Sequence, residues 1–124
     1  MGKTRQGLAI IFSDSTHGRI HGGLSLACAS AALGRPVRMF FHSESVCAFD
    51  RHRKWKGDET FTLAGVPPLC DMIKTALELG IATMACTTGL HICGLTANQL
   101  PEGVEAAGMV AFLADAQDYE LVFV

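Results

Sequence analysis

The sequence has few charged residues and no long hydrophobic run. Charged residues make up 18% of the 124 residues and hydrophobic residues 49%, a composition that excludes general disorder. No stretch approaches the roughly 18 apolar residues that a membrane-spanning helix needs. Ten basic side chains against twelve acidic ones give a net charge of -2, without the excess of basic residues that a nucleic-acid-binding surface requires. We therefore expect neither a membrane nor a nucleic acid as the main partner.

A targeting signal is also lacking at the start of the chain. The first residues are basic, but the apolar run at residues 7–12 is short for the core of a signal peptide. Gln6 stands where a myristoylation motif needs Ser or Thr. A chain of 124 residues has the usual length of one globular domain. The sequence thus predicts a single domain over residues 1–124 in the cytoplasm, where thiols are kept reduced.

The five cysteines contain no C-x-x-C pair, and their odd number means that they cannot all be joined within the chain. Cys28 lies in a segment of small residues that favours close helix packing, while Cys47 and Cys70 have no distinctive neighbours. We interpret these three as packing residues, which is the usual role of a free cysteine.

Short apolar runs alternate with helical patterns, which is typical of βαβ units and of a parallel sheet covered on both faces. Strands are predicted at residues 8–12, 37–41, 81–85, 104–106 and 121–124, and helices at 21–33, 69–79, 87–93 and 109–116. Residues 43–49 are expected to form a short helical turn. Residues 50–68 are the least regular part of the chain and are expected to be a surface excursion.

Cys86 is the strongest candidate for chemistry. It directly follows the predicted strand at residues 81–85, and reactive groups of open parallel sheets gather at the carboxyl ends of the strands. If Thr87 or Thr88 begins a helix, the unpaired N–H groups and the positive end of its dipole favour the thiolate form of the sulfur. The simpler alternative is that Cys86 is a small buried residue, the more common role of a lone cysteine.

Cys93 raises the question of a redox pair with Cys86. Along a continuous helix, seven residues would separate the two Cα atoms by about 10 Å. A disulfide tolerates a Cα separation of at most about 7 Å. A bond between Cys86 and Cys93 therefore requires a broken or displaced helix.

Metal binding is a weaker hypothesis, and we expect neither a metal nor an organic cofactor. His17 and His21 are four residues apart, but the glutamate of an H-E-x-x-H motif is missing between them. Cys86, His91 and Cys93 lack a clear fourth ligand.

Positive charge is concentrated around the single tryptophan, in the segment Arg51-His52-Arg53-Lys54-Trp55-Lys56. A solvated loop is one interpretation of this segment. The alternatives are a docking element with Trp55 as its aromatic anchor, or a mobile flap that supplies positive charge beside the thiol.

Charge is also divided along the chain. Residues 1–74 carry all ten basic side chains and six acidic ones, a net of +4, whereas residues 75–124 carry six acidic side chains. Within one domain this division predicts faces of opposite sign, which would favour association between copies or with a complementary subunit.

Several short segments follow one another in a specific order along nearly the whole chain. They are Ser13-Asp14 after the first strand, Leu24-Ser25-Leu26-Ala27, Leu33-Gly34-Arg35-Pro36-Val37, Met39-Phe40-Phe41, Gly80-Ile81, Ala85-Cys86, Gly94-Leu95 and Leu100-Pro101-Glu102-Gly103-Val104-Glu105. In this order the sequence resembles the DsrE/DsrF-like family of small sulfur-relay proteins, which includes the TusD-type sulfur carriers. The resemblance implies a three-layer α/β/α sandwich, flavodoxin-like in character, with an open, mainly parallel sheet of about five strands.

The resemblance also implies assembly into homo-oligomers or complexes with related subunits, and a persulfide-carrying cysteine at the position of Cys86. We expect an intracellular sulfur-relay protein, sulfurtransferase-like, in which Cys86 takes sulfane sulfur from a thiol or persulfide donor and passes it to an acceptor protein. One alternative is a thiol redox sensor that uses Cys86 and Cys93. The other is a non-catalytic ligand-binding or structural subunit of an oligomeric assembly.

Overall fold

The fold is built on five parallel strands, seen in a computed structural model that describes residues 6–124. The strands are β1 (Leu8–Phe12), β2 (Val37–Phe41), β3 (Ala82–Cys86), β4 (Val104–Ala107) and β5 (Glu120–Phe123). They form one sheet in the order β4-β3-β2-β1-β5, and every neighbouring pair is parallel. β1 is buried along its whole length, which explains its unbroken apolar sequence.

The helices cover the two faces of this sheet unequally. They are α1 (His17–Ala32), α2 (Lys56–Leu63), α3 (Leu69–Glu78), α4 (Thr87–Cys93) and α5 (Met109–Asp115), with 3-10 helices at Ser43–Phe49 and Ala97–Gln99. α1 packs on β1 and β2 and against α3. Phe112 of α5 stacks on Phe40 of β2, with ring centroids 5.1 Å apart. Phe41, the next residue of β2, stacks on Phe12 beneath α1. Successive residues of a strand point to opposite faces of the sheet. Phe40 therefore lies on the face opposite α1, and α5 covers that face.

The predicted α/β class and parallel five-stranded sheet are confirmed. α1 begins four residues earlier than predicted, because the helix also takes in the glycine- and histidine-containing segment after β1. The single-domain assignment stays a prediction. The basic residues at the start of the chain, on which the expected lack of a targeting segment partly rests, lie outside the described residues.

The prediction of an irregular excursion at residues 50–68 is wrong in part, because α2 lies within it. α2 has no buried residue of its own. It is held in place by contacts with two histidines of α1. His17 Nε2 lies 2.7 Å from Asp58 Oδ1, and the ring of Phe61 meets the rings of His17 and His21 edge-on at 4.8 and 4.6 Å. The two histidines weighed as metal ligands therefore fasten α2 to α1.

Two ion pairs connect the basic and acidic parts of the chain. Arg35 lies 2.5 Å from Glu120 and Arg38 lies 3.9 Å from Asp115. Part of the charge division seen in the sequence is thus neutralised inside the protomer. None of the helices within residues 6–124 is long and apolar enough to cross a membrane.

Candidate functional site

Cys86 lies at the carboxyl edge of the sheet, at the junction of two elements. It is the last residue of β3 and the residue that precedes the first turn of α4. Thr87 is the first residue of α4, and Cys86 itself stands at the N-cap position rather than a threonine. Only 6% of Cys86 is exposed, so the residue is buried at this edge of the sheet.

Hydrogen-bond donors from two elements surround the sulfur of Cys86. Burial raises the pKa of this thiol, but nearby hydrogen-bond donors favour the thiolate and outweigh the effect of burial; they are the N–H groups of Gly89, Ser43 and Thr88 and the Thr88 hydroxyl. The pKa of Cys86 is consequently lowered from its usual value. Hydrogen-bond donors held in place by the backbone stabilise the thiolate more than the neutral thiol, and this difference lowers the pKa.

Ser43 brings the donor that comes from outside α4. It follows the end of β2 with a φ of 56°, a left-handed conformation that is uncommon and costly for a residue with a side chain. The turn is secured by Ser45, whose hydroxyl lies 3.0 Å from the carbonyl oxygen of Phe12 and 2.8 Å from that of His42. A strained residue that contacts the reactive group is typical of functional sites.

Gly89 allows α4 to approach the 3-10 helix Ser43–Phe49. A Cβ atom at this position would collide with the side chain of Val46 and with the carbonyl oxygen of Ser43. Glycine is therefore the residue that lets donors from both elements reach one sulfur atom.

A disulfide joins the same two elements. Cys47 of the 3-10 helix is bonded to Cys93 at the end of α4, and their Cα atoms are 5.3 Å apart. The expectation that Cys47 is a packing residue with a reduced thiol is corrected by this bond. The alternative of a disulfide between Cys86 and Cys93 is also wrong. α4 is continuous between these residues, and Cys93 is bonded to Cys47 instead.

The strand register brings His42 to the same edge of the sheet as Cys86, which the sequence did not predict. Phe41 of β2 pairs with Ala85 of β3, so His42 and Cys86, one residue further along each strand, are neighbours on the same face of the sheet. Within residues 6–124, the buried Nδ1 of His42 has no hydrogen-bond partner. Only the strand order reveals this proximity, since 43 residues separate His42 from Cys86 in the sequence.

The other free cysteines have a different electrostatic environment. Cys28 is half-buried and Cys70 is exposed. Burial raises the pKa of both thiols, and the carboxylates of Asp71 and Asp58 raise that of Cys70 further. The protein therefore provides two internal references for the reactivity of Cys86.

We expect Cys86 to react with a small alkylating reagent at lower pH than Cys28 and Cys70. Alkylation requires the thiolate, and a lowered pKa means that this form persists as the pH falls, whereas raised pKa values confine the thiolate to higher pH. The measurement is the rate of iodoacetamide labelling of each cysteine across a pH series, resolved by peptide mass. Labelling of Cys86 no faster than that of Cys28 at neutral pH contradicts the expectation and favours a non-catalytic role.

The basic segment around Trp55 lies beside a cavity rather than beside the Cys86 thiol. The guanidinium of Arg53 stacks on the Trp55 ring at 4.2 Å, and both residues line a cavity that Cys86 does not line. The donors to the Cys86 sulfur are Ser43, Thr88 and Gly89 instead. Within the described part of the chain, no three His, Cys, Asp or Glu side chains converge on a possible metal position.

Comparisons with known proteins place these features in context. A model of the DsrE/DsrF-like family matches residues 6–124. The uncharacterized protein YrkE of Bacillus subtilis (strain 168) is 36% identical over 50 residues. That match covers 40% of this chain and 31% of YrkE, so the chain spans about a third of that relative.

Two solved structures have a similar fold. The ychN protein from E. coli superposes with a TM-score of 0.77 at 18% sequence identity, and the match covers 97% of this chain and 100% of the other. MTH1491 from Methanobacterium thermoautotrophicum, described as a protein of unknown function, superposes with a TM-score of 0.68 at 16% identity and the same coverage. At these identities the similarity is one of fold.

Proposed function

The chain belongs to the DsrE/DsrF-like family, and from this premise we propose that it is a sulfur-relay protein whose carrier is the Cys86 thiolate. The observation that carries the proposal is the set of donors from Ser43, Thr88 and Gly89 around one sulfur atom. A sulfur carrier needs a thiolate that can attack and can also leave. The same donors support both steps, because they stabilise negative charge on this sulfur.

In the first step, the Cys86 thiolate attacks the outer sulfur of a donor persulfide. The S–S bond of the donor breaks, the donor leaves as a thiolate, and Cys86 becomes a persulfide. In the second step, an acceptor thiolate attacks the outer sulfur of that persulfide, and the Cys86 thiolate is released. Each step forms one S–S bond and breaks another, so no external oxidant or reductant is consumed.

The test is a two-stage measurement of intact mass. Incubation with a small persulfide such as glutathione persulfide should add one sulfur atom to the protein. After the donor is removed, an added acceptor thiol should take that atom away again. No gain in mass contradicts sulfur acceptance, and a gain that an acceptor thiol cannot reverse contradicts a relay.

The alternative of a redox sensor based on Cys86 and Cys93 is not retained, because Cys93 is bonded to Cys47. A cytoplasmic location stays part of the proposal, with the Cys47–Cys93 disulfide as an exception to the reduced state of thiols in that compartment. The donor and acceptor are proposed to be thiol or persulfide proteins, since a thiolate carrier exchanges sulfur with groups of the same chemistry.

A second copy of the chain is the proposed partner for the sheet face that carries α5. Leu121 and Phe123 of β5 are 50% and 66% exposed, and Val110 of α5 is 84% exposed. Phe123 pairs in register with Ile11, and Ile11 pairs with Phe40, which stacks on Phe112 of α5. Residues in register on parallel strands point to the same face of the sheet, so the side chain of Phe123 lies on the face that carries α5. Exposed apolar side chains grouped beside an edge strand are typical of an association surface.

We expect the Phe123→Ser variant to have a lower molar mass in solution than the wild type, because it removes an apolar contact from this surface. Light scattering coupled to size-exclusion chromatography measures the change. Leu63→Ser is the matched control, since Leu63 is 90% exposed on α2 and should leave the mass unchanged. A monomeric wild type, or an equal effect of both substitutions, contradicts this assembly surface.

A further inference from the structure

The disulfide between Cys47 and Cys93 joins the two elements that supply hydrogen-bond donors near Cys86. Cys47 lies in the 3-10 helix Ser43–Phe49, whose first residue provides one of these N–H groups. Cys93 is the last residue of α4, whose first turn provides the others. One covalent bond therefore limits how far the two sources of donors can separate.

The two elements are anchored to the rest of the protein unequally. The 3-10 helix buries four residues, and the hydroxyl of Ser45 lies 3.0 Å from the carbonyl oxygen of Phe12. α4 has seven residues, of which only Gly89 and Leu90 are buried, and a helix this short is not stable by itself. Opening of the disulfide should therefore release α4 rather than the 3-10 helix.

The disulfide is of the kind that thiol exchange can open. Neither Cys47 nor Cys93 is a buried residue, and access to the S–S bond is one of the factors that govern the rate of exchange. Disulfides of cytoplasmic proteins are usually transient and serve catalysis or redox sensing. In the proposed cytoplasmic location, this bond is therefore expected to open and close rather than to be permanent.

We propose that the Cys47–Cys93 disulfide is a redox switch that controls the reactivity of Cys86, with a dithiol as its reductant. This inference rests on the proposed role of Cys86 as the sulfur carrier. In the oxidised state, α4 is held against the 3-10 helix, and donors from both elements lie near the Cys86 sulfur. In the reduced state, α4 moves away and withdraws the N–H groups of Thr88 and Gly89.

Opening of the switch is a thiol–disulfide exchange. A thiolate of the dithiol attacks the sulfur of one cysteine, the S–S bond breaks, and the other cysteine leaves as a thiolate that takes up a proton. The second thiol of the reductant then attacks the mixed disulfide, releases the first cysteine and leaves as a disulfide. Two electrons pass from the dithiol to the protein. Glutathione disulfide closes the switch by the reverse exchange and leaves as two glutathione thiols.

The test compares iodoacetamide labelling of Cys86 in the two redox states of the wild type. Dithiothreitol gives the reduced state and is removed without air, and glutathione disulfide gives the oxidised state. In the reduced state, initial labelling of Cys86 at neutral pH should be slower by at least about threefold, as a rise of half a unit in its pKa requires. The labelling profile of Cys86 should also move to higher pH. Cys28 of α1 is the internal reference and should label equally in both states.

Two variants attribute the effect to this bond. Cys47→Ser and Cys93→Ser each remove the disulfide, so each should label Cys86 at the rate of the reduced wild type and show no response to dithiothreitol. Either variant suffices if the other fails to fold. Cys70→Ser is the matched control, because it removes a free thiol and retains the disulfide, and it should respond to dithiothreitol as the wild type does.

Three results would overturn the proposal. One is the same Cys86 profile in the reduced and oxidised wild type. The second is a response to dithiothreitol that persists in Cys47→Ser or Cys93→Ser. The third is a disulfide that glutathione disulfide does not restore. Since the labelling uses no persulfide, a redox-dependent profile without any gain of sulfur contradicts the relay and still supports the switch.

Discussion

Cys86→Ser is expected to abolish the gain of sulfur from a persulfide donor. Serine occupies nearly the same volume, so the packing between β3 and α4 should persist while the nucleophile is lost. The thiol is the group that accepts the sulfur atom in our proposal, and the expected loss is therefore complete rather than partial. Intact mass after exposure to glutathione persulfide measures it, with the modified residue located by peptide mapping.

Cys28→Ser and Cys70→Ser are the matched controls for this experiment. Both remove a free thiol, but the pKa of each of these thiols is raised. Each control variant should gain one sulfur atom as the wild type does. If Cys86→Ser gains as much sulfur as the wild type, the carrier is another residue and the assignment of Cys86 fails.

Gly89→Ala is expected to destabilise the protein and to reduce the reactivity of Cys86 together. The added Cβ would collide with Val46 and with the backbone of Ser43, so α4 must move away from the 3-10 helix. Overpacking of this kind costs about 1–3 kcal/mol. The disulfide between Cys47 and Cys93 ties the two elements and limits how far they can separate.

The reactivity should fall because movement of α4 withdraws donors from the Cys86 sulfur. The pKa of the thiol then rises, and each unit of rise lowers the thiolate fraction about tenfold at a pH below the pKa. Urea unfolding measures the stability, and the pH dependence of iodoacetamide labelling measures the thiolate. A shift of the Cys86 labelling profile to higher pH distinguishes loss of the donors from a purely structural effect.

Gly22→Ala is the control for this substitution. Gly22 lies within α1, and a Cβ added there meets no atom within 4 Å. Alanine in the middle of a helix is favoured over glycine by about 0.5–1 kcal/mol, so this variant should be as stable as the wild type or more stable. A Gly89→Ala variant with unchanged stability and an unchanged labelling profile contradicts the close packing around Cys86.

The strands were predictable because their signal is local. The apolar runs that became β1 and β2 coincide with the predicted strands, since residues buried on both faces of a sheet must be apolar throughout. α2 was not predicted because it has no buried residue. Its position depends on His17 and Asp58, which are 41 residues apart, and no local pattern records such a contact.

By itself, the sequence determined the parallel α/β fold and placed Cys86 at the end of a strand. The tertiary structure decided what surrounds that cysteine. Ser43 and Gly89 both lie near its sulfur, and Cys47 lies close enough to Cys93 to form a disulfide, only because β2 and β3 are neighbours in the sheet. Strand order is set by the packing of the whole chain rather than by any local pattern, so the donors and the disulfide partner of this site emerge only once the sheet has formed.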